Sequence, residues 1–187
     1  MNRTLPGTVL QVTDTDIAYA EAMLSAMFLA GGISLSQVSA VTGLETYTVQ
    51  NWVKRGFLTA PKQKKYTKRQ LCRIININML KAALPLEDIC GLLQHINGHL
   101  DDESDDLIDD SQLYFLFLKL IGNFQLMSTE DGRKQALEQV LEEYREPVPG
   151  ARERLAQVLR IMLTAWAAAQ LRQRAENLVK ELKTEKI

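Results

Sequence analysis

Only two cysteines, Cys72 and Cys90, occur in 187 residues. Two lone cysteines build no disulfide framework, and a reducing compartment suits such usage. No stretch of about 18 apolar residues is present, so no transmembrane helix is expected. Met1-Asn2-Arg3-Thr4-Leu5-Pro6 also lacks the apolar region of a signal peptide. These absences predict a cytoplasmic chain with no membrane partner. Histidine is equally scarce: His95 and His99 stand four apart near Asp101 and Asp102, but Gly98 interrupts a helix between them. No metal site is expected there. No cysteine follows Cys90, which removes thiolate metal ligands from the C-terminal half. No nucleophile motif, glycine-rich phosphate loop or supported acid–base pair is found. The chain is therefore expected to be no enzyme and to need no cofactor.

A further absence is of charge of one sign. Between Glu45 and Glu87 there is no acidic residue, yet Lys54, Arg55, Lys62, Lys64, Lys65, Lys68, Arg69, Arg73 and Lys81 all fall there. The net charge of −1 conceals this, because the other 13 basic residues face all 23 acidic ones elsewhere. A sign-pure basic segment joined to an acidic remainder is the electrostatic footprint of a nucleic-acid-binding module. A face kept only for solubility would mix its signs.

Strand-like alternation is nearly absent, and most apolar residues recur at helical spacing. Residues 1–13 read as an irregular or extended lead. A helix is expected over 14–30, with Ile17, Ala20, Leu24, Met27 and Phe28 on one face and Gly31-Gly32 at its end. Ser34 and Gln37 form a capping box for a second helix that Gly43 ends. A short helix over 46–54 turns Val49, Trp52 and Val53 inward, which leaves Tyr47, Gln50, Asn51 and Lys54 on the opposite side. Residues 57–67 suit two short strands with a basic turn at Lys62-Gln63-Lys64-Lys65. Thr67 and Gln70 make a second capping box for a helix reaching about residue 84, and Pro85 separates it from another over 86–97. Seven carboxylates between Asp101 and Asp110 read as a solvated linker. Three more helices are expected at 111–127, 129–145 and 151–183, with Pro147 and Pro149 before the last.

Two short helices joined by a glycine turn, then a basic hairpin and a further helix, define a winged helix-turn-helix. The expected fold is mainly α, with a small β wing and an all-helical C-terminal bundle. The divisions are 1–33 as lead and helix, 34–98 as the winged helix, 99–110 as acidic linker and 111–187 as the helical region. The helix over 46–54 carries a polar face for the major groove and an apolar face to anchor it. Gln50 and Asn51 bear amides that can make paired hydrogen bonds to adenine. Lys54, Arg55, Lys62, Lys64 and Lys65 can neutralise phosphates, and Lys68 and Arg69 extend that basic set.

The stretches from Leu35 to Leu44 (LSQVSAVTGL) and from Thr48 to Leu58 (TVQNWVKRGFL) resemble the DNA-binding head of the MerR family. Lys65-Tyr66-Thr67 is similar to that family's wing segment, and Leu84-Pro85-Leu86-Glu87-Asp88-Ile89 to the start of its next helix. The likeness covers about residues 34–97. The chain is also similar to an uncharacterised bacterial MerR-related family over a longer span. The resemblance implies a transcription regulator that binds double-stranded DNA. It implies Tyr47, Gln50 and Asn51 as groove contacts and Lys62, Lys64, Lys65 and Tyr66 as backbone contacts. Tyr47 and Gln50 stand where the family has arginines, and Asn51 and Trp52 where it has tyrosines, so no operator preference carries over.

The resemblance also implies a homodimer through a long C-terminal helix. Here its seam reads Leu155, Val158, Leu159, Met162, Trp166, Ala169, Leu178 and Leu182, and the same residues would serve a bundle within one chain. An effector pocket around Phe115, Phe117, Phe124 and Trp166 is a further expectation, with core packing as its alternative. The alternative function is a protein-interaction adaptor that keeps the winged scaffold without binding DNA.

Overall fold

The computed structural model describes residues 2–13, 17–122 and 129–184. The architecture is mainly helical. A small hairpin, β1 (Asn2–Thr4) and β2 (Gln11–Thr13), precedes eight α-helices among the described residues. These are α1 (Ile17–Ala26), α2 (Leu35–Thr42), α3 (Thr46–Lys54), α4 (Lys68–Leu80), α5 (Leu86–Asn97), α6 (Asp110–Gly122), α7 (Glu130–Val140) and α8 (Ala151–Thr184). None of them is long and apolar enough to cross a membrane.

The N-terminal lead is more ordered than its sequence suggests. Asn2 pairs with Thr13 and Thr4 with Gln11. Three-residue strands are too short to show an alternation. The turn between them is pinned by contact with the body: Asn78 Nδ2 donates to Gly7 O at 2.9 Å, and Tyr114 OH donates to Pro6 O at 2.9 Å. Gly7 has φ 73°, and a Cβ placed there would lie 2.4 Å from Ile75 O. Only glycine meets both conditions.

Helix α1 ends earlier than its apolar pattern. Residues 27–31 form successive turns, with Met27 N–H donating to Leu24 O and Gly31 N–H to Phe28 O. Residues 14–16 of the expected helix lie outside the described residues. Both capping boxes form. Ser34 N–H donates to Gln37 Oε1 at 2.8 Å, and Thr67 N–H donates to Gln70 Oε1 at 2.9 Å. They start α2 and α4 one residue later.

Helix α4 is the axis of the molecule. Every residue from Gln70 to Ile77 is buried. It packs against α2, α5, α6 and α8. The buried apolar side chains make one continuous cluster that runs from Leu5 to Ala165. At about 25 cal/mol per Å2 of apolar area, such a shared core couples the parts it joins. Residues 34–98 and the helices after 110 therefore do not stand apart.

The acidic stretch departs most from expectation. Residues Glu103–Asp105 form a 3-10 turn, and Asp110 is fully buried at the start of α6. Leu107 N–H donates to Ile96 O at 2.7 Å, Asn97 Nδ2 to Ile108 O at 3.0 Å, and Tyr144 OH to Leu107 O at 2.7 Å. The second half of the stretch is thus fastened to α5 and to the turn that follows α7. Asp109 accepts from Ser111 N–H at 2.8 Å and caps α6.

Candidate nucleic-acid interface

Helices α2 and α3 are joined by Gly43, whose φ of 70° closes α2 in the left-handed conformation. Val38, Val41, Val49 and Trp52 are buried beneath the pair. That anchoring leaves Tyr47, Gln50, Asn51 and Lys54 exposed at i, i+3, i+4 and i+7. Tyr47 is 69% exposed, unusual for an aromatic residue with core beside it. Trp52, by contrast, is core. The Lys81 ammonium lies 5.9 Å from its ring, and partial burial lowers that lysine's pKa.

Beyond α3 the chain turns at Gly56 and reaches a two-residue hairpin. Lys62 bridges Lys65, and Lys65 N–H donates to Lys62 O at 2.9 Å. The central residues Gln63 and Lys64 have φ of 50° and 61°. Two positive φ values in a two-residue loop define a type I′ turn, the geometry that matches strand twist and ordinarily selects Asn-Gly. Lys62, Lys64 and Lys65 are exposed. Among the described residues these three and Lys54 enter no ion pair.

The expected pair of strands is reduced to single bridges. Tyr66 pairs with Ile33, upstream of α2, through N–H···O bonds of 2.8 and 2.9 Å. Residues 57–60 do not form the opposing strand. Gln70 Nε2 instead donates to Thr59 O at 3.1 Å and to Ala60 O at 3.3 Å, which occupies those carbonyls.

Four expected contacts lie differently from the exposed lysines. Tyr66 is 3% exposed, and burial raises the pKa of its hydroxyl, so it is a core residue and not a backbone contact. Arg69 is held by carboxylates on the acidic stretch, with Nη1 bonded to Asp106 and Nε 3.5 Å from Asp110. Its guanidinium serves that cluster and does not project into solvent. Lys68 is half-buried, its ammonium 5.9 Å from the Phe115 ring. Arg55 packs on the Phe57 ring at 4.5 Å and pairs with Glu87 at the start of α5, yet keeps 41% of its side chain exposed.

A buried clamp behind this surface was not foreseen. Arg73 Nε donates to Phe57 O at 3.1 Å, while its Nη1 approaches both oxygens of Asp110 at 3.5 Å. Asn76 Nδ2 donates to Asp110 O at 3.3 Å. Burial pushes the Asp110 carboxyl up to about 6, against the opposing pull of Arg73 and Arg69. The chain that leaves α3 is thereby tied through α4 to the first residue of α6. The signal in the sequence is Arg69, Arg73 and Asn76 at i, i+4 and i+7, one polar stripe on an otherwise apolar helix.

Of the aromatic residues named for an effector pocket, Phe115 and Phe117 are core and Trp166 is partly buried against it. Phe117 meets Trp166 edge-on at 6.2 Å. Phe124 lies outside the described residues. A cleft of about 1390 Å3 lies instead along α7 and α8, bordered by Leu137, Leu141, Leu163 and Trp166.

No curated protein and no solved structure matches the chain. One family profile, described as a domain of unknown function (DUF1836), matches residues 13–117, more than half of the chain. The matched segment spans α2, α3, the lysine turn, α4 and α5 and stops within α6, so it contains the exposed surface together with the clamp behind it. The chain belongs to the DUF1836 family.

Proposed function

We propose that this protein is a cytoplasmic transcription regulator that binds double-stranded DNA through a MerR-like winged helix-turn-helix spanning residues 34–98. Helix α3 enters the major groove and the lysine-tipped turn lies on the backbone. One observation carries the reading. An exposed polar face on a firmly anchored short helix is followed directly by three unpaired lysines on a tight turn. Gln50 and Asn51 read base edges, Tyr47 packs against sugar or base, and Lys54, Lys62, Lys64 and Lys65 neutralise phosphates. Arg55 joins them by releasing Glu87, an exchange that costs little because both partners are solvent-reached. The protein acts by binding and not by catalysis.

The test is duplex binding by fluorescence anisotropy across salt concentrations. Affinity is expected to fall linearly on logarithmic axes. Replacing Lys62, Lys64 and Lys65 with glutamine is expected to weaken all duplexes alike. No binding to any duplex pool at low salt would reject the DNA reading in favour of an adaptor using the same scaffold.

A further inference from the structure

The two capping boxes of this chain are built alike, but their glutamines do different work. At the start of α2, Gln37 Oε1 accepts from Ser34 N–H, and its exposed amide nitrogen donates to no protein acceptor among the described residues. At the start of α4, Gln70 Oε1 accepts from Thr67 N–H at 2.9 Å, and its amide nitrogen has a second use. It donates to Thr59 Oγ1 at 2.9 Å, to Thr59 O at 3.1 Å and to Ala60 O at 3.3 Å. Gln70 is 8% exposed, so water competes little for these bonds.

The segment so held leads into the lysine turn. Among the described residues, 58–61 make no backbone-to-backbone hydrogen bond to any other segment. Pro61 has no N–H to offer a neighbouring strand. Leu58 is buried and fixes the start of this limb. Between Leu58 and the turn, the limb is held by one side-chain amide. The returning limb is held differently, by the two backbone bonds between Tyr66 and Ile33. The limbs meet where Lys65 N–H donates to Lys62 O at 2.9 Å.

We infer that Gln70 is a positioning residue for duplex binding: its amide sets where Lys62 meets the phosphate backbone. The inference rests on the DNA reading above. It requires glutamine and not glutamate at this position. A carboxylate would complete the capping box equally well. It has no hydrogen to donate, however, and would turn a charged oxygen toward the carbonyls of Thr59 and Ala60. The capping role and the tethering role can therefore be separated by one atom.

Two measurements on the full chain test this. Q70E keeps the cap and loses the donor, Q70A loses the donor without adding a buried charge, and Q37E is the matched control. In the free protein, hydrogen exchange at Lys65 N–H reports closure of the turn. Q70E and Q70A are expected to exchange at least about tenfold faster than wild type, and Q37E at the wild-type rate. With duplex, Q70A is expected to lower the slope of log K against log salt by about 0.9, the share of one phosphate contact. K62Q should do the same, and Q70A/K62Q should lose no more than either alone, because both remove one contact. Q70A/K54Q should lose about 1.8, because Lys54 stands on α3. Lost stability alone leaves the slope of the folded protein where it was. Unchanged Lys65 protection in Q70E and Q70A, or additive losses in Q70A/K62Q, overturns the role of Gln70 and leaves the DNA reading intact. A wild type that binds no duplex overturns the DNA reading and this role with it.

Discussion

The turn at Gln63 and Lys64 sets stability against binding in a way that can be measured. Both residues are left-handed, with φ of 50° and 61°. For an L-residue with an ordinary side chain this conformation costs about 1–2 kcal/mol. Asparagine tolerates it better and glycine adopts it freely, although glycine returns about 0.5–1 kcal/mol through the entropy of the unfolded chain. Gln63→Asn with Lys64→Gly should therefore raise stability by about 1–1.5 kcal/mol. For a chain of this size that is about 3–5 °C in melting temperature. Natural sequences keep such strain where the side chain serves a purpose. If Lys64 holds a phosphate, its loss removes about 0.9 from the slope of log K against log salt. Between 50 and 200 mM salt that slope change alters the fall in affinity by about three- to four-fold. Differential scanning calorimetry and anisotropy on one preparation give both numbers. A variant no more stable than wild type refutes the strain argument. A more stable variant with an unchanged salt slope refutes the role of Lys64.

Other perturbations separate positions that look alike in the sequence. Gln50→Ala or Asn51→Ala should change the preferred sequence in a selection from random duplexes, costing about 1–3 kcal/mol at the affected base pair. Tyr66→Phe should leave duplex affinity unchanged, because the ring packs in the core and the residue is 3% exposed. Arg73→Met strands the buried Asp110 and leaves Phe57 O without its donor, and should cost about 3–5 kcal/mol in urea unfolding. Asp110 titrates near 6 in the folded chain, above its ordinary value of 3.8. The folded state therefore holds this proton more tightly than the unfolded state, and the stability it contributes is present at low pH and lost as pH rises from about 4 through 6. The advantage of wild type over Asp110→Asn should narrow by about 1–2 kcal/mol between pH 4.5 and 7. Widening over that interval would show that attraction to the arginines outweighs burial.

Local signals in this chain were legible because their physics is local. Capping boxes, helical spacing and the i, i+3, i+4, i+7 face of α3 depend on residues within one or two turns. They place α2 and α3 within a residue of their observed ends. The basic charges were visible, but their destinations were not. Lys64 and Arg69 both lie in the same acid-free segment, yet one stands on a turn and the other faces Asp106 and Asp110 from 37 or more residues away. Pairing across that separation is set by how α4 and α6 pack, which no spacing rule encodes. The same holds for α8. Two apolar faces on one helix overlay in sequence, and only the position of the body tells which is already filled. Tyr66 illustrates the opposite case. The family resemblance implied a contact to the DNA backbone, while its backbone pairing with Ile33 carries its ring inward.

The near-total burial of α4 has a consequence for engineering. A DNA-reading head that could be lifted out and fused elsewhere would need its own outer wall. Here the wall of α4 is supplied mainly by α6, with α8 beside it, and by Asp110 beneath Arg73. Cutting after residue 98 would strip a hydrophobic rod and leave a guanidinium in an open apolar trough. Such a fragment is expected to aggregate. A cassette ending after Gly122 keeps α6 and Asp110 but bares the parts of α4 and α5 that α8 covers, so the reading head is portable only with α8 attached.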